Sequence, residues 1–210
     1  MSRCVVVAGT DTGVGKTVFS AGLADALGGA YWKPIQSGLV DGTDSETVAA
    51  LGRLKSHRIF PEKWRLRTPI SPHLAAQIDG IVIELEQVTP PETSLPLVIE
   101  GAGGLLVPLN FRQTFADLIA TWSHPVVLCS RTSLGTINHT LLSLEAMRRR
   151  SIRVLGVVFI GAVDAGVART ISEIGSVSIL GNLPPLDPLT PDALRKAFAD
   201  NFDPSEFRAD

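Results

Sequence analysis

"GTDTGVGKT", residues 9 to 17, lies between the apolar run Cys4-Val5-Val6-Val7-Ala8 and a segment of helical period, Lys16 to Leu27. A strand that feeds a helix through a glycine-rich turn is the setting in which this pattern holds phosphate. Polyphosphate is strongly anionic. Glycines let backbone N–H groups close around it, and the helix N-terminus adds a partial positive charge. In this reading Lys16 reaches the terminal phosphates of a nucleoside triphosphate and the Thr17 hydroxyl ligates its magnesium ion. The stretch Gly13-Val14-Gly15-Lys16-Thr17-Val18 forms the cradle. Its spacing is irregular, because Gly9 stands one position early and Thr10 occupies the place of the usual first glycine.

Outward from this turn, short apolar runs alternate with helix-period segments, the pattern of a mostly parallel sheet flanked by helices. Strands are expected at Cys4–Ala8, Ala30–Lys33, Leu97–Ile99, Pro125–Cys129, Val154–Phe159 and Ser178–Leu180. Helices are expected over 16–27 (Phe19, Leu23, Ala26 and Leu27 inward), from Asp44 to about Leu51, over 115–122, over 136–149 and from Pro191. The proline-bearing stretch from Gly52 to Pro96 is read as an excursion on the sheet. The expected fold is a single three-layer, Rossmann-like P-loop α/β domain over residues 1–210.

Composition agrees with a packed core: 210 residues, 45% hydrophobic and 19% charged. A net charge of −2 speaks against nucleic acid or a membrane surface as partner, and no apolar run approaches the length of a bilayer span. Cys4 and Cys129 read as buried small hydrophobes, and the expected location is the cytoplasm.

Phosphate-bound magnesium also needs a carboxylate from a strand end. Glu100 follows Leu97-Val98-Ile99 and precedes Gly101-Ala102-Gly103-Gly104, at the edge where α/β proteins bind ligands. Asp44, in "DGTDSE", is either a second ligand or a helix N-cap. Lys33, closing the second strand in "KPIQSG", is either a solvated charge or the partner of a second anion. His73, in "SPH", is a candidate pocket residue.

"GTDTGVGKT", "KPIQSG", "SPH", "EGAGGLLVP" and "LGTINHT" occur in this order, and together they resemble the dethiobiotin synthetase family from Val7 to about Pro185. The resemblance implies an ATP-dependent ligase of biotin synthesis that carboxylates 7,8-diaminopelargonic acid with carbon dioxide and closes a ring. It implies catalytic roles for Lys16, Lys33, Thr12 and Ser37, the last three also holding substrate. It implies Thr17, Asp44 and Glu100 as magnesium ligands, and Gly101, Ala102 and Gly103 beside the nucleotide. Leu134, Gly135, Thr136, Ile137 and Asn138 match a helix start that binds the substrate carboxylate across a homodimer interface.

The chain departs from the family's pattern in two places. Gly13 stands where many members carry Glu, and Ile160-Gly161 where many carry Asn-Asp to read adenine. Base recognition is therefore expected from backbone groups, with Pro184 and Pro185 in "GNLPPL" nearby. The competing reading is a P-loop switch or partition ATPase acting on a macromolecule. Such proteins usually carry an early lysine in the loop, where this chain has Asp11.

Overall fold

The structure is a computed structural model that describes residues 4–162 and 164–208. Seven parallel strands form the main sheet. They are β1 (Cys4–Gly9), β2 (Ala30–Trp32), β4 (Ile59–Phe60), β6 (Leu97–Glu100), β7 (Val126–Arg131), β8 (Val154–Ile160) and β9 (Ile179–Leu183), in the order β4-β2-β6-β1-β7-β8-β9. Two short strands, β3 (Ile35–Ser37) and β5 (Trp64–Leu66), pair parallel in a separate ribbon.

The sheet is buried on both faces, which is why its central strands read as continuous apolar runs rather than alternating ones. Val6 and Ala8 of β1 face a core closed by α3 (Pro72–Ile78), α4 (Phe115–Trp122), α5 (Thr136–Arg148) and α6 (Ala165–Gly175). Val5 and Val7 face the other core, closed by α1 (Lys16–Ala26), α2 (Asp44–Leu51) and α7 (Pro191–Asn201). There Phe19 packs against Phe198, Phe202 and Phe207 with ring centroids 5.4 to 5.9 Å apart. The fold is the expected three-layer one.

Several local expectations change. Ala26 is exposed, because the last residue of α1 edges an open cleft beside Arg195 and Phe198. The final strand runs to Leu183, because Gly181 (φ 137°) accommodates a register shift that the apolar pattern does not reveal. The segment after Gly52 supplies β4 to the edge of the main sheet as well as the ribbon strand β5 and α3. Helix α6 was not expected; Asp164 caps it, its carboxylate accepting from the N–H groups of Gly166 and Val167. Asp44 is not the cap of α2. Thr43 is, in a reciprocal capping box with Glu46, which leaves the Asp44 carboxylate available for other partners. Cys129 is fully buried and Cys4 half-buried.

Among the described residues, no helix is long and apolar enough to cross a membrane.

Candidate active site

The turn between β1 and α1 needs glycine at two points, Gly13 (φ 69°) and Gly15 (φ 99°), both in the left-handed region that other residues resist. The early Gly9 has a packing reason. A Cβ there would lie 2.8 Å from Val14 Cγ1 and 3.0 Å from the Lys16 stem. The displaced glycine thus lets the buried Val14 fold back onto the strand. Helix α1 opens at Lys16 without a side-chain cap and without an acidic residue in its first turn, so its first N–H groups are available to an anion.

Lys16 is buried, and its Nζ donates to the Asp11 carbonyl at 3.1 Å. Burial, reinforced by the neighbouring charge of Lys33, pulls its pKa below the ordinary lysine value. Val18 lies half-buried one residue past Thr17.

The strand ends bring together residues that are far apart in sequence. Thr17 Oγ1 lies 2.8 Å from Glu100 Oε1 and 3.1 Å from Asp44 Oδ1. Lys33 Nζ lies 2.6 Å from Asp44 Oδ2 and 3.2 Å from Glu100 Oε1, and also donates to the Gly101 carbonyl at 3.3 Å. Tyr31 donates its hydroxyl to Glu100 Oε2 at 2.9 Å, and the Asp44 N–H donates to Gln36 Oε1 at 3.2 Å. Burial pulls the Lys33 pKa down, but Glu100 and Asp44 together hold it above the ordinary value. For Asp44, burial pushes the carboxyl up and the contact with Lys33 more than reverses this, leaving it below the usual range. Lys33 is therefore a cation held in a buried place, not a proton acceptor at neutral pH.

Of these residues Lys33, Gln36 and Asp44 line a cleft of about 440 Å³ with Thr12, Ile35, Ser37, the turn Pro69–Pro72, Ala102, Gly103 and Val107. Ser37 Oγ is buried and meets no hydrogen-bonding partner among the described residues. A buried hydroxyl left this way invites a ligand oxygen. Gly103 (φ 61°) lets the loop after β6 pass close to Thr12, since a Cβ there would lie 3.3 Å from Thr12 Oγ1. Gly101 is needed for a different reason: a Cβ would meet the Phe115 ring at 2.4 Å.

The donor set of one hydroxyl and two carboxylates converging on it is all hard oxygen, which suits magnesium that keeps waters and phosphate in its remaining positions. Thr17, Asp44 and Glu100 fit the ion on that ground.

On the other side of the turn, Ile160 packs against Gly15, where a Cβ would meet Ile160 Cγ2 at 2.7 Å. Gly161 (φ 120°) ends β8, and its carbonyl accepts from Asn182 Nδ2 at 3.1 Å. Pro184 and Pro185 follow β9, the first half-buried and the second exposed. The segment from Leu134 to Asn138 starts α5 at Gly135 (φ 94°), uncapped by a side chain. It is not among the residues lining the Lys33 cleft. Within it the Thr136 side chain is committed elsewhere, donating to the Arg131 carbonyl at 2.6 Å and lying 2.7 Å from Ser130 Oγ. Any ligand there would meet backbone N–H groups and Asn138, not the Thr136 hydroxyl. His73 lines a different cleft, with its ring edge-on to Phe111.

Sequence reasoning missed Tyr31, which fixes the Glu100 carboxylate, Gln36, which holds the Asp44 backbone N–H, and Arg131, which pairs with Asp11 at 2.5 Å. Tyr31 stands two residues before Lys33, but nothing in the spacing says that its hydroxyl reaches across to β6.

A family model described as an AAA domain matches residues 3–193. The ATP-dependent dethiobiotin synthetases BioD of Brucella ovis and Brucella abortus (strain S19) are 59% and 58% identical over 207 residues, covering 99% of this chain and 98% of theirs. Among solved structures, the cell division ATPase MinD of Pyrococcus furiosus matches with a TM-score of 0.59 at 12% identity, covering 95% of this chain and 99% of that one. A ParA family ATPase from Chlorobium tepidum matches with a TM-score of 0.55 at 13% identity, covering 95% and 91%. At these identities the likeness to MinD and ParA concerns the fold alone.

Proposed function

The chain belongs to the dethiobiotin synthetase family, and from that premise we infer that it is an ATP-dependent ligase closing the ureido ring of dethiobiotin. One amine of 7,8-diaminopelargonic acid adds to carbon dioxide and loses a proton, giving a carbamate. A carbamate oxygen attacks the γ-phosphorus of ATP, the bond from that phosphorus to ADP breaks, and a carbamic-phosphoric anhydride forms. The second amine attacks the carbonyl carbon and loses a proton. The carbon–oxygen bond to phosphate breaks and inorganic phosphate leaves.

The observation that carries this reading is that one cleft is lined by Lys33, held cationic, by Ser37, whose buried hydroxyl has no partner among the described residues, and by Thr12 of the phosphate turn. Such a cleft holds a small anionic nucleophile next to a phosphate turn. Lys33 and Ser37 orient the carbamate, Thr12 fixes its approach, and Lys16 and the N–H groups of Gly13 to Val18 spread the charge developing on the transferred group. Thr17, Asp44 and Glu100 hold magnesium. When bound, the ion supplies Lewis-acid polarisation of the phosphoryl oxygens. Ala102 and Gly103 bound the cleft on the β6 side, and Gly101 precedes them with its carbonyl on Lys33.

The start of α5, Leu134 to Asn138, takes the distal carboxylate of substrate in the cleft of a second copy, so the working form is a homodimer. Its uncapped N–H groups and its place away from its own chain's cleft support this. The reaction uses small soluble substrates, and the cytoplasm is its proposed place.

The test is phosphate release with diaminopelargonate, bicarbonate, magnesium and ATP, which must depend on the diamine; release that ignores it rejects the synthetase reading. Lys33→Ala should nearly abolish turnover while ATP binding measured by calorimetry stays largely intact. Unchanged turnover would remove Lys33 from the site.

A further inference from the structure

The phosphate turn contains a carboxylate, Asp11, in a place where negative charge opposes its ligand. The structure ties this residue down from three sides. Asp11 Oδ1 accepts from the Thr12 N–H at 2.7 Å, its backbone carbonyl accepts from Lys16 Nζ at 3.1 Å, and Oδ2 lies 2.5 Å from Arg131 Nη2. The same Nη2 reaches the Thr12 carbonyl at 3.4 Å.

Arg131 comes from the last position of β7, the neighbour of β1, and Thr10 N–H bonds the Cys129 carbonyl at 3.0 Å just beneath. Its backbone is fixed by the Thr136 hydroxyl at the start of α5. Arg131 Nε is buried without an acceptor among the described residues, a cost that an incidental surface pair has no reason to bear.

We propose that Arg131 is a positioning residue for the nucleotide turn: it neutralises Asp11 and, through that carboxylate, fixes the shape that lets Thr12 and Lys16 meet the phosphates. The proposal rests on the nucleotide reading of residues 9–17. Without the guanidinium, Asp11 repels the triphosphate and releases the Thr12 segment. The side chains of Arg131 and Asp11 are 38% and 46% exposed, so solvent screens the repulsion. The loss in ATP affinity should be on the order of tenfold.

The experiment is magnesium-ATP binding by titration calorimetry, without diamine, to the unaltered chain and to R131M, R131K, D11N and D11N/R131M. Arg131→Met should weaken binding on the order of tenfold, while Arg131→Lys, which keeps the charge, should stay within about threefold. In the D11N background, adding R131M should cost less than about threefold, because the charge it answered is gone. Steady-state kinetics of R131M should show the loss in KM for ATP, with kcat much less changed.

Should R131M not fold, Arg131→Gln takes its place in the same cycle. Equal binding by R131M and the unaltered chain overturns the proposal. So does a tenfold loss from R131M in the D11N background, which would mean that Arg131 touches phosphate itself. An unaltered chain that binds no ATP removes the nucleotide reading, and with it this one. That outcome is distinguishable because it appears before any substitution is made.

Discussion

Glu100 and Asp117 are carboxylates with opposite work. Glu100 is 1% exposed and shared among Thr17, Tyr31 and Lys33. Burying such a group yields little net stability, since desolvation offsets the attraction. Its place at the cleft is explained by what it can hold. Asp117 sits at the surface and stabilises α4. It accepts from the Thr114 N–H and hydroxyl, both at 2.7 Å, and from Arg150 Nε at 2.8 Å. Partial burial pushes the Asp117 carboxyl up, but the Thr114 and Arg150 bonds outweigh this and hold it below the usual carboxylate range. A depressed carboxylate contributes stability that is present above its unfolded value of about 3.9 and is lost as pH falls through the folded one. Asp117→Asn should therefore cost about 1 kcal/mol at pH 6 to 8, as loss of a cap does. The gap should close as pH drops below about 4. Urea unfolding of both chains across that range measures it, and a gap undiminished at the acid end would contradict the assignment.

At the scale of elements, the main strands and most helices were readable because burial on two faces writes continuous apolar runs, and α1, α5 and α7 carry long periods. Helix α6 was missed although Val167, Ile171 and Ile174 keep helical spacing. The run lies between two expected strands. Lys33 and Glu100 were legible as candidates because residues at the carboxyl ends of parallel strands converge, whereas Asp44, the first residue of α2, stood out as a ligand only through the family resemblance. Tyr31, Gln36 and Arg131 were not legible, because their roles depend on which neighbouring strand lies within reach. Strand order is not written in local pattern. The same order bears on the base. The Lys33 cleft lies on the β6 and β2 side of the turn, so in the proposed site the nucleoside would meet the β8 and β9 tips on the other. There Ile160-Gly161 offers backbone, and the Gly161 carbonyl is already bonded by Asn182. With no Asn-Asp pair at the β8 tip to read the adenine edge, selectivity for ATP should be relaxed. CTP or GTP turnover below about one per cent of the ATP rate would reject this, since a site built to hydrogen-bond one base discriminates by far more than a site that is not.

The whole molecule presents a feature that one chain does not use. Leu106 and Leu142, 50% and 56% exposed, line the same cleft beside the phosphate turn, and Leu134 at the head of α5 is fully exposed. Scattered exposed leucines need no explanation, but a group beside an uncapped helix start does. In the proposed homodimer this face meets a second copy, and the N-terminus of α5 enters that copy's site. A charge placed here should therefore act on assembly and turnover together while sparing the fold. Leu142→Glu adds a carboxylate at an exposed helix position that tolerates it, so thermal unfolding of the isolated chain should shift little, within about 0.5 kcal/mol. Sedimentation should then show a monomer where the unaltered chain sediments as a dimer. Turnover of diaminopelargonate should fall with the dimer fraction and recover as protein concentration rises. Affinity for ATP should fall less than about threefold, because every residue of the turn belongs to one chain and the added carboxylate, at an exposed position, is screened by solvent. A variant that remains dimeric and active removes this face from the interface; one that turns monomeric yet keeps full turnover shows that the α5 start serves no site but its own.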